Sequence, residues 1–209
     1  LVTTAAERLP DASAVQVAAG AQLQLGGSET IASLQAAGSV KLTGDLTTRG
    51  DQVYTGSVTL ANPAGLTLSG ATIDASRSSN QFGGTPLSLA GGQALVTVKE
   101  GLQLGNINLS GGGRIEAERL DLNGKLQLSG GSLSLVATAA PDDAKATPQG
   151  VAQVPVAGVG LAVAEATVQQ GSGSAISVAA GAQLSVQAAG GGSVLLAQDA
   201  NNFLGQLSV

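Results

Sequence analysis

The chain has 209 residues, 43% of them hydrophobic but only 1% aromatic, with nine basic against fourteen acidic side chains and a net charge of −5. Having neither Cys nor His, it offers no disulfide framework or thiol nucleophile and lacks the commonest general base and metal ligand. The acidic balance argues against nucleic acid as partner, since a phosphate backbone calls for a basic face. No apolar run reaches the roughly 18 residues of a membrane span, and the start at Leu1, with neither initiator Met nor signal peptide, reads as a piece of a longer chain.

With two Phe, one Tyr and no Trp, the interior has to be filled by Leu, Val, Ile and Ala. The 31 glycines set turn formers at short intervals, and helix signals are few. The elements follow in chain order as short alternating runs: 15–25, 39–46, 57–60, 66–74, 87–92, 102–112, 120–135, 176–186 and 193–196. Each has period-two hydrophobicity closed by Gly, Asn or Ser, the signature of strand and turn. The class is all-β.

The runs also repeat. The heptapeptide Val17-Ala18-Ala19-Gly20-Ala21-Gln22-Leu23 returns unchanged from Val178 to Leu184, and LQLGNINLSG from Leu102 matches LDLNGKLQLSG from Leu120. An offset near 20 residues fits one coil of three short strands and three turns, which buries its apolar face only by stacking on another coil. This predicts a parallel β-helix, a β-solenoid of about 20 residues per coil.

All three aromatic residues precede a glycine by two positions: Tyr54 and Gly56, Phe82 and Gly84, Phe203 and Gly205. They read as structural corners, a ring covering a bend and a glycine in a strained backbone conformation. Polar residues stand before each ring: Gly50-Asp51-Gln52, Ser79-Asn80-Gln81 and Ala200-Asn201-Asn202. They read as turns. The tripeptide Arg49-Gly50-Asp51, which integrins read on adhesive proteins, falls in the first of them. It is a candidate adhesion signal weighed against a corner of the scaffold, and the corner is favoured.

Residues 137–160 break the rhythm, with three prolines and the adjacent pair Asp142-Asp143. Because proline cannot sit inside a sheet ladder, the segment is expected to leave the stack as one excursion between β-helix repeats at 1–136 and 161–209. Asp142, Asp143 and Lys145 are candidate ligand-binding residues on it, and Arg77 is another on a smaller excursion.

The stretch GDQVYTGSVTLANPAGLTLSG, the glycine motifs around Phe82 and Phe203, and VAAGAQLSV resemble the repeat region of filamentous-haemagglutinin-like exoproteins, large adhesins of bacterial two-partner secretion. The likeness covers most of the chain outside 137–160. Within that family, few aromatics together with Arg-Gly-Asp are similar to the biofilm matrix adhesins of pseudomonads. The resemblance implies a right-handed β-helix, export through an outer-membrane secretion pore, and a place at the cell surface or outside the cell. It also implies roles in aggregation and biofilm cohesion, with an exopolysaccharide or cell-surface glycan as partner. Asn62-Pro63-Ala64-Gly65 only loosely echoes the secretion domain's motif, so this chain does not read as that domain.

Parallel β-helices also host polysaccharide lyases and hydrolases. Paired carboxylates would be needed, and Arg114, Glu116 and Glu118 share one face of a strand. That face reads as a solvated ladder of compensating charge. The expectation is a non-enzymatic adhesin stalk with no cofactor or metal, neither membrane-inserted nor bound to nucleic acid. The alternative is a specific carbohydrate- or receptor-binding module using the 137–160 excursion.

Overall fold

A computed structural model describes residues 1–76, 79–138, 166–190 and 192–209. Among them every regular element is a strand. The first coil is β1 (Ala14–Val17), β2 (Gln22–Leu25) and β3 (Glu29–Ile31), and the second is β4 (Ser33–Ala36), β5 (Ser39–Leu42) and β6 (Leu46–Thr48). The third opens with β7 (Gln52–Tyr54) and β8 (Val58–Leu60), after which three long strands run around corners: β9 (Leu66–Ala75), β10 (Leu87–Thr97) and β11 (Gly101–Ala117). Short strands then return as β12 (Arg119–Leu122), β13 (Lys125–Leu128) and β14 (Ser132–Ala137). The stack ends with β15 (Thr167–Gln170), β16 (Ala175–Val178), β17 (Gln183–Ala188), β18 (Ser193–Leu195), β19 (Asn202–Phe203) and β20 (Gln206–Ser208).

Every named pairing is parallel, each strand resting on its counterpart one coil away: β1 on β4, β2 on β5, β3 on β6, and so on to β17 on β20. The result is a β-solenoid of about 8 turns roughly 20 residues apart, with three faces. The first face contains β1, β4, β7, β14, β17 and β20, the second begins with β2, and the third begins with β3. The short-range repeat is literal, because Leu102 pairs with Leu120 and Ile107 with Leu126.

Alternation points every second residue inward, and like residues then stack on like. Leu25, Leu42 and Leu60 form one such column, and Ile115, Leu135 and Val186 another. All six are buried. At about 1.5–3 kcal/mol per buried aliphatic side chain, these columns are the main favourable term in a core with almost no aromatic area.

The expected boundary at 137 moves. Ala137 belongs to β14, fully buried and paired with Ala117 and Ala188. The coil ending at Thr138 is followed in the stack directly by the coil that opens at Ala166, since β12 carries β15 and β14 carries β17. Residues 139–165 lie outside the described residues, and with them Asp142, Asp143 and Lys145; so does Arg77. Sequence reading also passed over β3, β4 and β15, whose polar or Ala-rich segments ETI, SLQA and TVQQ become strands by stacking on stronger neighbours.

Candidate interaction surface

The polar residues before the rings are not all turn residues. Gln52 lies inside β7 and is 0% exposed, because alternation turns both it and Tyr54 inward. Its Nε2 donates to the carbonyl of Leu46 at 3.2 Å and to that of Ser69 at 2.8 Å, while the Tyr54 hydroxyl donates to its Oε1 at 2.8 Å. Asn80 is likewise buried, and its Nδ2 donates to Ala75 O at 2.7 Å and Thr97 O at 2.8 Å. Asn201 and Gln170 exchange amide hydrogen bonds at 2.7 and 2.9 Å, and Asn201 Oδ1 also accepts from the N–H of Ile176. In each case an amide two residues before an aromatic ring adds hydrogen bonds that tie the corner to its neighbours.

The rings themselves are interior fillers rather than covers over bends. Tyr54 and Phe82 are buried, and Phe203 is partly buried against the core. Burial pushes the Tyr54 phenol well above its ordinary pKa, so it remains a neutral hydrogen-bond donor. The glycines serve two purposes. Gly84 has φ +75° with open space around it, whereas a Cβ on Gly56 would meet the Gly38 carbonyl oxygen at 2.1 Å and one on Gly205 the Ala182 oxygen at 2.3 Å. The strained backbone expected at all three occurs at Gly84; Gly56 and Gly205 are there for close approach between coils.

Arg49-Gly50-Asp51 forms the bend between β6 and β7, with both charged residues exposed. Its main chain is held on both sides: Arg49 N–H donates to Ile31 O, Gly50 N–H to Ala32 O, Leu34 N–H to Asp51 O and Ala71 N–H to Gly50 O. From within, the Thr48 hydroxyl donates to Gly50 O at 2.7 Å. The tripeptide is therefore a stitched rung of the solenoid and not a projecting loop.

The charged strand face is a self-neutralising surface. Arg114 contacts Glu116 at 2.8 Å and Arg119 contacts Asp121 at 3.1 Å, with the arginine side chains more than half exposed. Other carboxylates bind main chain: Glu29 accepts from the N–H groups of Arg8 and Leu9, and Glu100 from those of Phe82 and Gly83. Among the described residues no group of three or more acidic side chains is placed to hold a metal ion, and no helix is long and apolar enough to cross a membrane. A shallow open hollow of about 620 Å³ on the first face is lined by Gln16, Gln35, Val53 and Thr55, with no titratable group.

The outward rows of the three faces differ in charge. On the first, Val53 pairs with Asp74, Asp74 with Leu95 and Leu95 with Arg114; on the second, the outward residues include Lys41, Arg119 and Asp121, the last two in adjacent rows. On the third, Thr30 pairs with Thr47, Thr47 with Ser69, Ser69 with Ala90 and Ala90 with Asn108. The same row continues through Gln127, Ser177 and Asn202. This row carries no charged side chain, while Lys125 stands exposed two residues before Gln127 on the same strand. Sequence reading missed the row, although its signal was present as one hydroxyl, amide or alanine at a fixed place in each coil.

Comparison with known proteins finds no matching family model, no matching curated relative and no matching solved structure.

Proposed function

We propose that this chain is a stalk segment of a secreted bacterial adhesin, non-enzymatic, exported through an outer-membrane pore and working outside the cell in aggregation and biofilm cohesion. The observation that supports this reading is the parallel stacking that runs from β1 to β20, joined to the resemblance of its sequence motifs to those of filamentous-haemagglutinin-like exoproteins. Rungs rise by about 4.8 Å each, so about 8 turns span on the order of 40 Å. Such a rod lengthens by adding rungs without redesign of its core, and reach is its useful property. A repetitive surface also turns weak contacts into avidity when the partner is itself repetitive, which favours an exopolysaccharide.

Against glycoside cleavage by paired carboxylates stand the engagement of Glu116 by Arg114 on an exposed face and the place of Glu118 at the bend between β11 and β12, outside the strand that carries Glu116. The test is co-sedimentation of the purified chain with a panel of bacterial exopolysaccharides, together with aggregation of cells displaying it. Selective retention and aggregation are expected, with no release of reducing or unsaturated ends. Folded protein that retains no polysaccharide and aggregates no cells would defeat the proposal.

A further inference from the structure

Resting on that adhesive reading, we infer that the third face is the binding surface, and that its partner is an uncharged, polyhydroxylated chain lying along the rod axis. Thr47, Ser69, Asn108, Gln127, Ser177 and Asn202 all stand in the outward row, each at least partly exposed. Their side chains make no hydrogen bond to other described residues. The flanking row is different. Asp45 Oδ1 accepts from Thr67 N–H at 2.7 Å, Ser88 Oγ from Asn106 N–H at 3.0 Å and Asn106 Oδ1 from Lys125 N–H at 3.0 Å. Asp45, Ser88 and Asn106 are thus tied into the fold, whereas in the neighbouring row Thr30 is engaged, donating to Glu7 Oε1 at 3.3 Å, and the six residues from Thr47 to Asn202 hold donors and acceptors free for an external partner.

The chemistry narrows that partner. Nucleic acid and acidic glycans need a run of cations; this row has none, and the flanking row has one, Lys125, alongside Asp45. A protein interface has an apolar centre, whereas the row's outward residues are hydroxyls and amides apart from Ala90. Stacking against sugar rings would need exposed aromatic residues; Tyr54 and Phe82 are buried, and Phe203 is turned onto the core. What is left is hydrogen bonding to a neutral polymer that repeats its own hydroxyls, over a row on the order of 30 Å long at about 4.8 Å per rung.

The test uses the full chain with dextran and mannan fractions of increasing length as neutral probes and polygalacturonate as the acidic one. A Thr47→Ala, Asn108→Ala, Gln127→Ala variant is compared with a first-face control, Gln16→Ala with Gln35→Ala, both checked for folding by circular dichroism. Neutral probes are expected to bind more tightly as they lengthen, and the triple variant to lose about tenfold or more while the control does not. Neutral binding unchanged by the triple variant would overturn the assigned face and leave the adhesive reading intact. Preference for polygalacturonate, or failure of the neutral probes while the exopolysaccharide panel still binds, would overturn the ligand class alone. Retention of no polysaccharide of any kind would remove both the surface and the glycan-binding reading.

Discussion

Replacing Gln52 with Leu tests whether the buried amides hold the corners together. The substitution keeps side-chain bulk and improves apolar character, so a reading based on hydrophobicity alone expects a gain. The hydrogen bonds argue otherwise. Without the amide, the Tyr54 hydroxyl loses its acceptor, Ser69 O loses its 2.8 Å donor and Leu46 O its 3.2 Å donor. A buried polar group left unpaired costs about 1–3 kcal/mol. Because the β6–β9 ladder still supplies main-chain donors to Leu46 O and Ser69 O, the group left unpaired is the Tyr54 hydroxyl, and the total is set at about 1–3 kcal/mol. Adding Tyr54→Phe to Gln52→Leu removes the orphaned hydroxyl and is expected to recover about 1–2 kcal/mol of that loss. Guanidinium unfolding followed by far-ultraviolet circular dichroism gives the comparison, with a lower midpoint at unchanged slope as the expected result. A Gln52→Leu protein as stable as the parent would refute the reasoning, because the Tyr54 hydroxyl would then have to be satisfied without the amide.

Tyr54 is the sole tyrosine, so phenolate absorbance reports on it without ambiguity. Its folded pKa is raised by burial, so stability is complete below the ordinary phenol value of about 10 and falls above it by about 1.4 kcal/mol per pH unit as the unfolded state releases its proton. Tyr54→Phe should flatten that slope in alkaline denaturation curves. Gly56→Ala, which drives a methyl against the Gly38 oxygen, is expected to cost more stability than Gly84→Ala, where the positive φ in open space costs about 1–2 kcal/mol; thermal melts of the two variants give the order. Asp51→Ala is expected to stay within about 0.5 kcal/mol of the parent and to leave integrin-dependent cell attachment unchanged. A loss of attachment without loss of fold would restore the tripeptide as a signal. Arg114→Ala should cost at most about 1 kcal/mol, as exposed ion pairs do, with a smaller effect at high salt in the same denaturation assay.

The stacking phase of the middle of the rod was legible because Leu102 to Gly111 and Leu120 to Gly130 repeat the same alternation one coil apart, and matching residues do pair. The inward amides were harder. Period two says that Gln52 and Tyr54 share a face, but a glutamine on that face looks like an outward residue until the carbonyls of Leu46 and Ser69 are found turned toward it. The third-face row was hidden for a related reason, since a row exists only once the register across coils is known.

The repeated heptapeptide separates what each level decides. Both copies make the same turn, with Ala21 N–H bonded to Ala18 O and Ala182 N–H to Ala179 O, and with Gly20 at φ +77° and Gly181 at φ +81°. Yet Val17 to Leu23 leads from β1 to β2, the first face to the second, while Val178 to Leu184 leads from β16 to β17, the third face to the first. Local backbone preference and alternation lie in the sequence itself, so turn, strand and all-β class follow from it directly. Which corner a turn occupies, and which side chains meet there, depends on hydrogen bonds between residues one coil apart, and only the stacked structure settles that.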